Sequence, residues 1–186
     1  MEKLILASNS PRRREIFTQL GLSFEVAVSN NEPPISEDLG AEKSAFVSAK
    51  AKAEDIFSKY PDCTVVGADT VVAVNDKLLG KPESERDAKD MLKMLSGKTH
   101  EVITAVYVCS PKKQAGFCAK TSVEFYELSD EEIEAYIKSG EPMDKAGAYG
   151  IQGKALRFVK GICGDYYNVV GFPAAEFMRF VKREEL

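Results

Sequence analysis

His100 is the only histidine in 186 residues. Triads built on histidine and multi-histidine zinc sites are left almost without material, so aspartate, glutamate, lysine and arginine must carry the charged chemistry. No two of the four cysteines, Cys63, Cys109, Cys118 and Cys163, stand in a C-x-x-C spacing. That excludes a zinc ribbon or a thioredoxin-type motif and points to a reduced, cytoplasmic protein whose cysteines are packing residues. The apolar run at 4–7 is too short for a signal-peptide core, and no segment approaches the roughly 18 apolar residues of a membrane span. A GxxxxGK[ST] loop is also missing. Positive charge is not in excess: 25 Lys and Arg against 29 Asp and Glu leave a formal charge of −4, with a pI near 5.3. Counterion-driven binding of nucleic acid is disfavoured, and a polyanionic ligand requires a local cationic cluster.

What is present suits one globular domain over residues 1–186, because 44% hydrophobic and 29% charged residues supply an ordinary core and surface. Residues 4–7 read as a short buried strand, followed by a helix capped by Ser10-Pro11 that buries Ile16, Phe17 and Leu20 and stops at Gly21. A strand at 24–28, a loop at 29–40 and an amphipathic helix at 41–60 follow, the helix carrying Phe46, Ala49, Ala53, Ile56 and Phe57 on one stripe. Residues 64–74 are strongly β in composition, with a hairpin turn at Asn75-Asp76 and a return through Leu78-Leu79. A helix at 84–95, strands at 102–109 and 117–126, and a capping-box helix from Ser129 come next. Two short strands, 158–162 and 166–170, and a last helix burying Ala174, Phe177, Met178 and Val181 complete the chain. The pattern predicts an α/β or α+β fold with a mixed sheet.

Four constellations bear chemistry. SNSPRRR at 8–14 sits where a strand feeds a helix, so backbone N–H groups and guanidinium forks converge as phosphate oxygens require, although a capped surface helix with solvated arginines has the same sequence. Asp69-Thr70 lies within the apolar run 65–74, where a carboxylate is costly unless it is paired, hydrogen-bonded, metal-bound or at a solvent-facing strand edge. Lys50 falls at the side of the apolar stripe of helix 41–60, leaning over the core edge or snorkelling, and Lys81 stands before Pro82 at the hairpin exit. The glycine- and alanine-rich segment EPMDKAGAYGIQG, 141–153, permits close backbone approach to a ligand or is a plain connecting loop. Its Gln152 offers the donor and acceptor that read a nucleobase edge.

Taken together, ASNSPRR, GADTVV, LGKP, LSGKTHEVITAV, EPMDKAGAYGIQG and GDYYNVVGFP, in that order over residues 4–173, resemble the Maf family of nucleoside triphosphate pyrophosphatases. The resemblance implies an α/β fold in which a mixed, curved sheet flanked by helices forms two lobes around a deep cleft, related to the inosine triphosphate pyrophosphatases. It implies hydrolysis between the α- and β-phosphates with a divalent cation, magnesium or manganese, and a homodimer. Asp69 matches the family's proton acceptor; Arg12, Thr70 and Gln152 match the positions that mark the branch acting on dTTP and UTP rather than on 7-methyl-GTP. Ser8, Arg13, Lys50 and Lys81 match the polar lining of the cleft, and Glu32 an acidic position near the metal.

Two departures stand out. Pro33 occupies the place where the family often has a second acid, and Lys154 follows Gly153 where a further glycine is common. Modified pyrimidine triphosphates are a further substrate class, and a nucleotide-sensing regulator of cell division that uses the cleft without turnover is the alternative reading. Asp69 serves either as general base or as metal ligand. Neither role requires His100.

Overall fold

The computed structural model describes residues 3–31, 33 and 37–186. Among them seven strands form one mixed sheet in the order β2-β1-β3-β5-β6-β7, with β4 joined to β3. The strands are β1 Leu4–Leu6, β2 Phe24–Val26, β3 Thr64–Val74, β4 Lys77–Leu79, β5 Thr99–Cys109, β6 Gln114–Phe125 and β7 Val159–Cys163. β1 runs parallel to β2 and β3, and the remaining pairs are antiparallel. The six α-helices among the described residues are α1 Pro11–Gln19, α2 Gly40–Lys59, α3 Glu85–Leu95, α4 Asp130–Ile137, α5 Tyr166–Val170 and α6 Ala174–Glu184.

Strand alternation divides the core between two faces. Odd-numbered residues of β3 and β5, among them Val65, Val71, Ile103 and Ala105, meet Ala45, Ala49, Ala53 and Ile56 of α2. Even-numbered residues, Val66, Ala68, Val72, Val102 and Val106, pack with Phe17 of α1, Leu92 of α3, Ile133 of α4 and Phe177 of α6. The hairpin forms as the sequence predicts, with Asn75 and Asp76 both left-handed, as a tight two-residue turn demands. Ser129 and Glu132 form the expected reciprocal capping box.

Residues 166–170 are helix α5, not a strand. Asp165 caps it by accepting from the Tyr167 backbone N–H at 2.8 Å. The buried Asn168 then uses its amide to donate to Val102 O and Thr121 Oγ1, a tertiary tie that β-rich composition does not reveal. In α6 the buried face is Ala174, Phe177 and Phe180, while Met178 is exposed. The four cysteines are unpaired, but Cys163 is exposed and so is no packing residue.

Candidate active site

β3 has 11 residues, and β5 follows one edge from Val65 to Ala73. Two short strands share the other edge: β1 pairs only through Val66, and β4 begins at Val72. Among the described residues, 67–71 therefore have no strand neighbour on that side. The chain leaves β1 into Ser8 and leaves β4 into Gly80-Lys81 at this same gap, so two strand ends open onto it. The result is a cleft of about 720 Å³ lined by Ser8, Arg12, Arg13, Asp69, Thr70, Lys81 and Gln152, a size suited to a mononucleotide.

Asp69 and Thr70, as consecutive strand residues, face opposite sides. On the α2 side, Lys52 Nζ donates to Asp69 Oδ1 at 2.7 Å, the two side chains being 11% and 14% exposed. Gly67 makes this approach possible. A Cβ at Gly67 would overlap the Ala49 carbonyl oxygen and lie 2.8 Å from Ala53 N, so glycine lets α2 settle onto β3. On the other side, Thr70 Oγ1 shares a hydrogen bond with Thr104 Oγ1 at 2.9 Å, and Thr104 donates to Asn168 O at 3.1 Å.

Ser10 caps α1 by accepting from the Arg13 backbone N–H, and Pro11 holds the first helical position, so the helix opens onto the cleft. Arg13 itself is buried. Its guanidinium donates to Gly171 O and Ala68 O, both at 2.9 Å, to Ser8 Oγ at 3.1 Å and to Thr70 Oγ1 at 3.0 Å. It thus ties α1 to the unpaired stretch of β3 and to the turn after α5. Arg12 reaches across the cleft to Asp144, with Nη1 3.3 Å from Oδ2. Burial raises the Asp144 carboxyl, but the Lys145 hydrogen bond and charge, with Arg12, hold it below its ordinary range.

Gln152 is carried, exposed, on a braced loop. Glu141 accepts from the Tyr136 hydroxyl and from the Lys154 backbone N–H, both at 3.0 Å, while the Gly150 N–H donates to the Tyr136 oxygen at 3.2 Å. A Cβ at Gly153 would overlap the Glu141 carboxylate. The glycines of this segment therefore allow the loop to close on its own acid.

The cleft brings together Ser8, Arg12, Arg13, Asp69, Thr70, Lys81 and Gln152. Glu32 lies outside the described residues. Lys50 requires correction: its Nζ is 3.7 Å from Glu54 Oε1 and 5.6 Å from the centroid of Tyr107, away from the cleft lining. Two residues on a helix turn the direction by about 200°, so Lys50 and Lys52 leave opposite flanks of the alanine stripe, and only Lys52 flanks β3. Position gave the signal, since Lys52 follows Ala49 by three and Ser48 by four.

Among the described residues no three His, Cys, Asp or Glu side chains cluster to form a metal cage. The donor set still fits a magnesium-like ion, which commonly binds through one or two carboxylates and substrate phosphates. Lys52 occupies Asp69 Oδ1, and Oδ2 has no hydrogen bond among the described residues.

The family model for Maf, described as Maf-like protein, matches residues 3–184. A dTTP/UTP pyrophosphatase of Geobacillus sp. (strain WCH70) is 49% identical over 183 residues, covering 98% of each chain. One of Bacillus cereus (strain G9842) is 46% identical over 186 residues, covering all of this chain and 97% of the relative. One of Bacillus velezensis (strain DSM 23117 / BGSC 10A6 / LMG 26770 / FZB42) is 44% identical over 181 residues, covering 97% and 96%.

Proposed function

The chain belongs to the Maf family, and on that premise we propose that it is a nucleoside triphosphate pyrophosphatase acting on dTTP and UTP. The observation that carries this reading is the Asp69 carboxylate, set in the unpaired stretch of β3 with Lys52 on one oxygen, at a cleft also lined by Arg12, Lys81 and Gln152.

Water adds to phosphorus, the α–β anhydride bond breaks, and the products are the nucleoside monophosphate and pyrophosphate. A triphosphate brings about four negative charges, and charge shifts onto the leaving pyrophosphate as the bond breaks. Arg12, Lys81 and the start of α1 line the cleft and offer those oxygens positive charge and backbone N–H groups. Asp69 Oδ2 takes the proton of the attacking water, its orientation fixed by the hydrogen bond from Lys52 to Oδ1. In the alternative role Oδ2 ligates an ion instead, and Asp69 with the substrate's phosphate oxygens would hold magnesium or manganese. Such an ion, when bound, neutralises phosphate charge and polarises the phosphoryl oxygen. Arg13 shapes the cleft wall, four of its N–H groups serving protein acceptors. Gln152 offers paired donor and acceptor to the pyrimidine edge.

The family match over residues 3–184 supports a single pyrophosphatase domain. No described helix is long and apolar enough to cross a membrane. Four unpaired cysteines support a cytoplasmic setting. The homodimer that the resemblance implies is tested by sedimentation. A panel of dTTP, UTP, 5-modified pyrimidine triphosphates and 7-methyl-GTP, assayed with magnesium, tests the activity. The expected result is pyrophosphate from the pyrimidine nucleotides; preference for 7-methyl-GTP contradicts the assignment.

A further inference from the structure

His100, on β5, is 1% exposed and plays no part in the chemistry above. Its Nε2 lies 2.8 Å from the Tyr149 hydroxyl oxygen, and the two share a hydrogen bond. Its Nδ1 is buried with no hydrogen-bond partner among the described residues. Phe125 completes the cluster, 4.9 Å from the His100 ring and 4.8 Å from the Tyr149 ring, both edge-on. A buried imidazole nitrogen without a partner is unfavourable, and a phenyl ring would satisfy an apolar site better. The histidine is accounted for only if the bond made by its other nitrogen matters.

The far end of that bond is on a strained turn. Gly147 and Ala148 are both left-handed, at φ +67° and +59°. At Gly147 no side chain fits, since a Cβ would lie 2.9 Å from Val72 Cγ2. Ala148 holds a conformation that a residue with a Cβ seldom adopts. The next residue is Tyr149, which lines the cleft with Gly150, Ile151, Gln152 and Gly153. Gly147 N–H also donates to Gly80 O at 3.0 Å, holding the start of the turn to the hairpin exit. The bond to His100 holds its end to β5, whose register with β6 fixes His100 opposite Val123.

We infer that His100 is a positioning residue for nucleotide recognition, acting through Tyr149 to hold the left-handed turn that carries Gln152 into the cleft. This rests on the reading that the cleft takes a pyrimidine nucleoside triphosphate with Gln152 at the base. Burial pushes the imidazole down to about 4, so the ring is neutral near neutral pH and the tie is permanent rather than switched.

The test compares Tyr149→Phe, His100→Phe, the double variant and His100→Gln by steady-state kinetics with dTTP, using inorganic tripolyphosphate as a competitor that has no base. Loss of one hydrogen bond in the support is expected to raise KM about fivefold to tenfold, with kcat within about twofold. The double variant is expected to match the single ones, because both lose the same bond. His100→Gln, whose amide reaches the Nε2 position, is expected to recover most of the KM. Inhibition by tripolyphosphate should not change. Unaltered KM in Tyr149→Phe overturns the inference, and so does an equal weakening of tripolyphosphate, which marks general loosening. Tyr149→Phe keeps the ring and deletes one oxygen, so it remains informative if His100→Phe fails to fold. Wild-type turnover keeps the claims apart: no pyrophosphate from dTTP contradicts the proposed function, whereas normal turnover with an unmoved KM contradicts only the role of His100.

Discussion

The Lys52 ammonium lies 2.7 Å from Asp69 Oδ1, joining helix α2 to the stretch of β3 that no described strand covers on the cleft side. Both side chains are largely buried, so this pair differs from the surface ion pairs of the molecule, whose contributions are small. Loss of Lys52 would leave the Asp69 charge poorly solvated in the cleft wall.

The two neighbouring lysines should therefore respond differently. Lys52→Met is expected to reduce kcat for dTTP by about a hundredfold, the order seen when one preorganised electrostatic group is lost. Lys50→Met should leave it within about twofold, because Lys50 points toward Glu54 and Tyr107. Steady-state assays of both variants decide, and equal losses would contradict the assignment of Lys52.

Asp69→Asn keeps the shape of the side chain but cannot accept a proton. Turnover is expected to fall by about 10²–10⁴. The magnesium concentration giving half-maximal residual rate separates the two roles of the carboxylate. An unchanged value assigns Asp69 to proton transfer, and a clear rise assigns it to ion binding.

Gly67→Ala tests the contact that brings α2 to the strand. The added Cβ meets backbone atoms of Ala49 and Ala53, which cannot swing aside as a flexible side chain would. Destabilisation of about 1–3 kcal/mol is expected, with a loss of activity beyond the unfolded fraction because Lys52 is carried outward. Urea unfolding and kinetics on one preparation check both, and full activity in the folded fraction would contradict the link.

Much of this was readable from the chain. Asn75-Asp76 and the Ser129–Glu132 box are local signals, and the structure reproduces them. Val169 and Val170 misled because β-branched neighbours suggest a strand, while the helix there depends on Asp165 as cap and on Asn168 bonding to β5 and β6. The gap in β3 was not visible, since it results from the lengths and register of two strands far apart in sequence. Arg13 and Arg12 look alike in SPRR, yet one is enclosed by four acceptors and the other crosses the cleft. Burial separates them, and burial is a property of the whole fold.

His100 also fixes the sign of one pH effect. Desolvation lowers its pKa from 6.5 to about 4 in the folded protein. As pH falls below 6.5 the unfolded chain binds a proton that the folded protein refuses, so stability is lost between 6.5 and about 4. The full effect is on the order of 3 kcal/mol. The stability difference between wild type and His100→Gln, from urea unfolding, should shift against the wild type by about 2 kcal/mol between pH 6.5 and pH 4.5. Parallel pH curves would contradict the buried, neutral histidine.

The central claim is that the cleft at the unpaired stretch of β3 cleaves the α–β anhydride bond of a pyrimidine nucleoside triphosphate with Asp69 in the reacting group. Quantifying all phosphorus-containing products from dTTP and magnesium, for wild type and Asp69→Asn in parallel, tests it most directly. The account predicts dTMP and pyrophosphate in equal amounts from the wild type and almost none from a folded Asp69→Asn protein. Release of dTDP with orthophosphate, or wild-type rates in Asp69→Asn, would contradict it.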